Sequence, residues 1–249
     1  MFRRFVLALL VSTSAAFALS DVELDRIGRR VWQNECGGTR DGLTSWNTGE
    51  NFASLGIGHF IWYPKGVNGP FEESFPKLVK FLGANGVKTA AWIEGDCPWA
   101  TRAAFQAEFQ GPRMKELREL LASTVRLQSR FLAERMKSAL GKMTAAAAAS
   151  ERGRVSENFT RLTQSGAGMY ALIDYVNFKG EGTKAEERYN GEGWGLLQVL
   201  AAMPAGGGAA DFSRAAAAVL ERRVKNSPPA RGEARWLPGW KNRVRGYAE

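Results

Sequence analysis

Apolar residues recur at the spacing of an amphipathic helix near the start of the chain. They are Leu24, Ile27 and Val31. Asp21 is a suitable N-cap in front of them, and Gly37-Gly38 is a typical stop signal, so a helix is predicted from Asp21 to about Asn34. Glu35 follows Val31 by four residues and continues the apolar stripe. This position is unusual for a carboxyl group, because burial favours its protonated form.

Between residues 39 and 63 the pattern changes from helical to extended. Two short segments typical of strands, Leu43 to Trp46 and Phe52 to Ile57, flank a polar stretch at residues 47–51 that is typical of a turn. Gly56 and Gly58 weaken the interior of a strand and indicate a bend or the close approach of another group. The sequence therefore predicts a small β-hairpin near the N-terminus.

The rest of the chain is predicted to be mainly helical, which makes the expected fold class α+β, mostly helical with a small N-terminal β-hairpin lobe. Residues 144–154, with five consecutive alanines, either extend a helix or link two helices. One helix is predicted to begin at Phe75. Further helices are predicted over 98–109, Met114 to Leu140, Met169 to Phe178, Tyr189 to Met203, Phe212 to Val224, and Trp240 to Tyr247.

The first twenty residues have the pattern of a signal peptide. A basic start precedes an apolar run from Phe5 to Val11 that is too short to span a bilayer, and Ala16-x-Ala18 fits a signal-peptidase site. A membrane anchor or a buried helix is the alternative. We expect residues 1–20 to be removed, residues 21–249 to form one domain, and the protein to be periplasmic or secreted without stable membrane insertion.

Composition limits the chemistry. The chain has one histidine and two cysteines, Cys36 and Cys97, which offer no zinc-ligand spacing, and no nucleotide-binding glycine-rich loop is present. No metal and no organic cofactor are expected. An even cysteine count in an exported protein favours one disulfide, and two separate buried thiols are the alternative.

The net charge is +9 and the pI is near 9.8. This charge is compatible with anionic wall polymers, lipid head groups or nucleic acid, and it does not select among them. We expect no nucleic-acid partner.

The segment around Glu35 resembles the catalytic segment of phage-type lysozymes and endolysins. In those enzymes a helix-terminal Glu precedes a hairpin that ends in Thr-x-Gly-x-Gly-His, and here Glu35-Cys36-Gly37-Gly38 precedes Ser54-Leu55-Gly56-Ile57-Gly58-His59. The resemblance implies that Glu35 is the general acid, that Ser54 positions water and that His59 lies beside the site. The helix containing Asn177 resembles an inward-facing helix of the endolysins, and Trp236 to Arg243 is similar to their W-x-x-G-x-x-x-R ending.

The sequence departs from this family at the second carboxylate. Phage-type lysozymes carry an Asp in the hairpin turn, where this chain has Thr48, and the nearest carboxylate is Glu50. Either Glu50 replaces that Asp, or one carboxyl group is sufficient, as in lytic transglycosylases. Other carboxylates remain as reserve candidates: Asp41, Glu181 and Glu192.

The resemblance implies a lysozyme-like fold and a monomer that cleaves peptidoglycan or a related amino-sugar polymer. In such a cleft aromatic rings stack on sugars, so we expect Trp46, Trp62, His59 and Asn177 to bind substrate, although both tryptophans also suit plain packing. The alternatives are a catalytically silent wall-binding protein and a chitosanase or lytic transglycosylase of the same fold.

Overall fold

The computed structural model of the chain describes residues 19–249. Most of this part is helical and a small antiparallel sheet lies near its N-terminal end, which confirms the α+β class. The segment that carries the signal-peptide pattern, through Ala18, lies outside the described residues. Within them, no helix is both long and apolar enough to cross a membrane.

The helices in the described part of the chain are α1 (Asp21–Cys36), α2 (Phe75–Ala84), α3 (Ala91–Glu94), α4 (Arg102–Ala107), α5 (Pro112–Ser123), α6 (Val125–Ala146), α7 (Arg152–Leu162), α8 (Gly166–Lys179), α9 (Leu196–Ala202), α10 (Ala209–Asn226) and α11 (Leu237–Arg245). The strands are β1 (Thr44–Ser45), β2 (Ala53–Leu55), β3 (Phe60–Trp62), β4 (Arg188–Tyr189) and β5 (Glu192–Gly193).

Helix α1 begins and ends at well-defined caps. Ser20, and not the predicted Asp21, is the N-cap, because its side chain accepts from the backbone N–H of Glu23 while Glu23 reaches back to the N–H of Ser20. Gly37 ends the helix with a φ of +62°, a left-handed conformation that favours glycine. The helix therefore runs two residues past the predicted end, and Glu35 lies in its last turn.

The N-terminal sheet has three antiparallel strands in the order β1-β2-β3, one more than the predicted hairpin. Ser54 on β2 lies opposite Ser45 on β1 and Ile61 on β3. The chain turns back after β2 through residues 56–59, where Gly56 has a φ of +67°. The two glycines that indicated a bend therefore mark the turn into the third strand.

Gln128 of α6 holds this turn in place through a hydrogen bond. It is fully buried, its Oε1 accepts from the N–H of Ile57 at 3.0 Å, and its Nε2 donates to the carbonyl of Leu121 at 2.7 Å. An added Cβ at Gly56 would lie 2.4 Å from the same Oε1, so glycine is required for this approach. The contact joins the sheet to the long helix.

Two predicted helices are divided in the structure. Residues 114–140 form the end of α5 and most of α6, which separate at Thr124, whose hydroxyl donates to the carbonyl of Leu120 at 2.7 Å. The segment predicted as a helix from Tyr189 begins as the β4–β5 hairpin and becomes helical only at Leu196. Glycines at the hairpin turn and after β5 explain this difference, since they are poor helix formers.

The cysteines do not form the expected disulfide. Both are buried free thiols: Cys36 Sγ lies 3.7 Å from the carbonyl oxygen of Gly56, and Cys97 Sγ lies 3.6 Å from that of Trp99. The alternative of two separate thiols is therefore correct. Burial, with a further contribution from the charge of Glu35, raises the pKa of Cys36 to about 12, and burial raises that of Cys97 to about 11.

We expect both thiols to resist labelling in the folded protein, because thiolate is the reactive form and burial disfavours it. A thiol reagent at pH 8 should modify neither cysteine in the native state and both after unfolding in urea, as counted by mass spectrometry without reductant. Recovery of a linked Cys36–Cys97 peptide would contradict this prediction.

Replacing Gln128 with Leu should destabilise the fold by roughly 1–3 kcal/mol, because the buried N–H of Ile57 loses its acceptor. The free energy of unfolding measured in urea tests this prediction. The matched control is Gln106→Ala on the exposed side of α4, for which we expect little change. Equal effects of the two substitutions would exclude an anchoring role for Gln128.

Candidate active site

Glu35 lies where three separate parts of the chain meet. Its side chain is 11% exposed, Arg243 of α11 donates a hydrogen bond to Oε1, and the ring Nδ1 of His59 lies 3.7 Å from Oε2. His59 belongs to the turn between β2 and β3 and has a φ of +46°, which is unusual for a residue other than glycine. The structure thus brings together Glu35 and His59, two of the residues predicted from sequence.

Asp174 holds Arg243 in this position. Its carboxylate is completely buried on α8 and accepts two hydrogen bonds from the guanidinium, from Nε at 2.8 Å and from Nη2 at 2.9 Å. Tyr247 Oη donates to the same carboxylate at 2.6 Å, and Asn34 Nδ2 donates at 3.0 Å. Four donated hydrogen bonds satisfy the buried charge, and they tie α1, α8 and α11 together.

The electrostatics of the cluster keep its donors protonated. Burial by itself would lower the pKa of Arg243, but the hydrogen bonds and charge of Asp174, helped by Glu35, raise that pKa above its ordinary value. Burial and the charge of Asp174 also raise the pKa of the Tyr247 hydroxyl well above its ordinary value. Arg243 is therefore a permanent cation that is paired with Asp174 and hydrogen-bonded to Glu35, and Tyr247 is a neutral donor.

A groove of about 330 Å³ lies between α6 and α8; neither Glu35 nor His59 lines it, and it approaches the turn that carries His59 through Leu132. Leu132 lines the groove, and its Cδ2 lies 2.9 Å from the position of a Cβ at Gly58. The floor is apolar, and charged or polar side chains form the rim. The lining includes Phe131, Leu132, Met136, Ile173 and Val176 on the floor, and Glu72, Arg135, Lys142, Asn177 and Glu181 on the rim.

Asn177, predicted from sequence to bind substrate, lines this groove. It lies one turn of α8 beyond Asp174, and its Nδ2 is buried without a hydrogen-bond partner in the described part of the protein. A buried donor that is left unpaired costs free energy, and a ligand oxygen in the groove would relieve that cost.

The tryptophans predicted to line the cleft are in the core. Trp46 is 4% exposed and packs edge-on against Phe105 at 5.8 Å, and Trp62 is 1% exposed and packs against Phe75 at 4.6 Å. Their rings are covered by other aromatic side chains, so they have no face free for a sugar. Plain packing, the alternative reading of both residues, is what the structure shows.

Glu50 and Ser54 lie in the sheet, apart from Glu35. Glu50 is half-buried in the β1–β2 turn, where its carboxylate accepts from Asn47 Nδ2 at 3.1 Å, and Ser54 is buried on β2. Within residues 19–249 neither of them forms a hydrogen bond or ion pair with Glu35. The structure therefore does not join these predicted residues to Glu35 directly.

The reserve carboxylates have different surroundings. Asp41 forms an ion pair with the buried Arg118 at 3.0 Å, and Glu192 lies 3.1 Å from Arg222. Glu181 lines the groove, and no basic side chain of the described residues pairs with it. It is the reserve candidate that shares the groove with Asn177.

No three His, Cys, Asp or Glu side chains of the described residues are grouped as metal ligands would be. Comparisons of the chain with protein-family models, with curated proteins and with solved structures find no match. The site is therefore interpreted from its own geometry.

Asp174 and Arg243 were not among the residues predicted to form the site. A signal for Asp174 was present, because a carboxylate within an apolar helix requires a buried cation or several donors. The sequence offers many arginines, and only the packing of α11 against α8 identifies Arg243 as the partner.

Replacing Asp174 with Asn should destabilise the protein by roughly 3 kcal/mol or more, because Arg243 then loses its buried counter-charge. Urea unfolding measures this loss. Asp25→Asn is the matched control, since Asp25 pairs with Arg126 on the surface, and we expect a much smaller effect there. A similar loss in both variants would argue against a central role for Asp174.

Proposed function

We propose that this protein is an exported peptidoglycan hydrolase that cleaves the β-1,4 bond between N-acetylmuramic acid and N-acetylglucosamine, with Glu35 as the general acid. The observation that carries the proposal is the placement of Glu35. It is a nearly buried carboxyl group at a helix end, oriented by a buried arginine and adjacent to a turn that borders a groove.

The proposed reaction requires a carboxyl group that donates its proton to the glycosidic oxygen as the bond breaks. Glu35 is suited to this role because the helix fixes its backbone and Arg243 fixes the direction of its carboxyl group. Arg243 acts as a positioning residue. Because Asp174 neutralises it, Arg243 offers Glu35 a hydrogen bond without adding a full uncompensated positive charge.

The groove supplies the features of a glycan site. Its apolar floor can accommodate the hydrophobic face of a pyranose ring, and its polar rim can bind hydroxyl and acetamido groups. Asn177 Nδ2 is the donor best placed for a sugar oxygen. A lysozyme-like fold is part of the same proposal.

Two versions of the chemistry remain within the proposal. A hydrolase requires a second group that activates water or stabilises the oxocarbenium-like transition state, and Glu50, Ser54 or Glu181 would have to supply it. A lytic transglycosylase requires only one essential carboxyl group and forms an anhydro sugar. This second version is the alternative because it needs no carboxylate beyond Glu35.

The test is digestion of purified peptidoglycan by the wild type, by Glu35→Gln and by the control Glu50→Gln, with products identified by mass spectrometry. We expect wild-type cleavage and a loss of at least about 100-fold in Glu35→Gln, since a general acid contributes 10²–10⁴-fold. Reducing ends would indicate a hydrolase, and anhydro-muramyl ends a transglycosylase.

If Glu50→Gln is as inactive as Glu35→Gln, Glu50 is the second catalytic carboxylate. If the wild type sediments with peptidoglycan without cleaving it, the enzyme proposal fails and a wall-binding protein is the better description. Cleavage of chitosan in place of peptidoglycan would indicate a chitosanase.

A further inference from the structure

Lys179, the last residue of α8, lies between two aromatic rings without a polar partner. Its Nζ is 3.3 Å from the ring centroid of Trp240 and 3.9 Å from that of Phe178, and the residue is half-buried. Among residues 19–249 no carboxylate or carbonyl oxygen lies within hydrogen-bonding distance of this ammonium group. The ammonium is not among the buried unpartnered groups of the described residues, so its donors are open to solvent and to an incoming acceptor.

The nearest acid cannot serve Lys179. Glu233 is fully buried, and both of its oxygens are occupied by Arg223 in a bidentate pair, with each distance 2.8 Å. Tyr189 Oη donates to it at 2.9 Å, and Arg231 contributes a further contact at 3.3 Å. The negative charge of Glu233 is therefore already neutralised by Arg223 and Arg231.

A further aromatic ring, next to Trp240, is open to solvent. Trp236 is 42% exposed, its ring centroid lies 6.0 Å from that of Trp240, and the guanidinium of Arg235 lies 4.5 Å over it. We call Lys179, Arg235, Trp236 and Trp240 the Lys179 patch. It combines exposed aromatic surface with positive charge.

The Lys179 patch adjoins the candidate active site through α11. Trp240 lies one helical turn before Arg243, the residue that contacts Glu35, and the guanidinium of Arg243 is 4.3 Å from the ring of Phe178. Arg243 and Phe178 therefore link the Lys179 patch to Glu35.

We propose that the Lys179 patch is a binding subsite for a carboxylate-bearing sugar of the glycan. The exposed Trp236 provides a surface for the pyranose ring, and Lys179, held over Trp240, binds the carboxylate. In peptidoglycan the carboxylate belongs either to the lactyl group of muramic acid or to the stem peptide. The proposal rests on the proposed function and adds that the protein selects acidic glycans over neutral ones.

Charges from the neighbouring elements make this binding dependent on pH. Burial first, and then Arg223 of α10 and Arg243 of α11, lower the pKa of Lys179 to about 7, while Glu233 acts in the opposite direction. A bound carboxylate would raise the pKa again, so binding above pH 7 takes up a proton. Affinity should be constant below that pKa and fall as the pH rises above 7, by up to about tenfold per pH unit.

Calorimetric titration in a Glu35→Gln background, which prevents cleavage, tests the subsite. The ligands are glycan strands stripped of peptide, intact muropeptides and neutral chito-oligosaccharides. We expect both acidic ligands to bind more tightly than the neutral one at pH 6. The tighter of the two acidic ligands identifies the lactyl group or the stem peptide as the source of the carboxylate.

Lys179→Met should weaken the binding of the acidic ligand by about tenfold or more and that of the neutral ligand by less than about twofold, since a charge-assisted hydrogen bond is lost. Lys115→Met on exposed α5 is the matched control for loss of one charge. Lys179→Arg retains the charge, so it should bind the acidic ligand without a decrease between pH 7 and 9.

Three results would overturn the subsite: equal weakening of acidic and neutral ligands by Lys179→Met, no effect on either, or a flat pH profile in the parent protein. These results are independent of the cleavage assay. A wild type that fails to cleave peptidoglycan but shows the Lys179-dependent preference contradicts the proposed function and leaves the carboxylate site established.

Discussion

The buried carboxylate of Asp174 is the constraint on which the site depends. A charge removed from water is tolerated only when its lone pairs are occupied, and here the donors come from α1, from α11 and from the turn that follows α11. Satisfying Asp174 therefore fixes the relative positions of three helices. Arg243 is held by this requirement, and its remaining donor capacity orients Glu35. The buried Asp174 carboxylate is thus structural, and the carboxyl group of Glu35 beside it is less buried.

Gln128, a second buried polar residue, fixes the turn that places His59 beside Glu35. Gln128 uses its amide to hold the turn at residues 56–59 against α6, and the same turn carries His59 toward Glu35. Neither Gln128 nor Asp174 need touch a substrate. Their common effect is to hold a flexible turn and a long arginine side chain in one arrangement, so that the groups around Glu35 are organised before any ligand binds.

The basic residues near Glu35 differ in whether a buried carboxylate neutralises their charge. Arg243 and Arg223 each have a buried carboxylate partner, Asp174 and Glu233 respectively, so their charges are largely neutralised. Lys179 lies close to both arginines and has no such partner among the described residues. Burial and like charge make its protonated form costly, and an incoming anion would remove part of that cost. The net positive charge of the chain is therefore less informative than the position of this one unpaired amine.

Strong local signals made several elements predictable from the sequence. Helix α1, the glycine stop after it, the extended segment that follows and the position of Glu35 on an apolar stripe were predictable, because periodicity, caps and turn residues act over a few neighbours. The proximity of His59 to Glu35 was implied only by the resemblance to phage-type lysozymes. The tertiary structure decided what depends on contacts between distant segments. It covered Trp46 and Trp62 with other rings, kept Cys36 and Cys97 apart, and chose Arg243 as the partner of Asp174. These outcomes arise from packing between elements far apart in the chain, and local patterns carry no information about which distant side chain fills a given space.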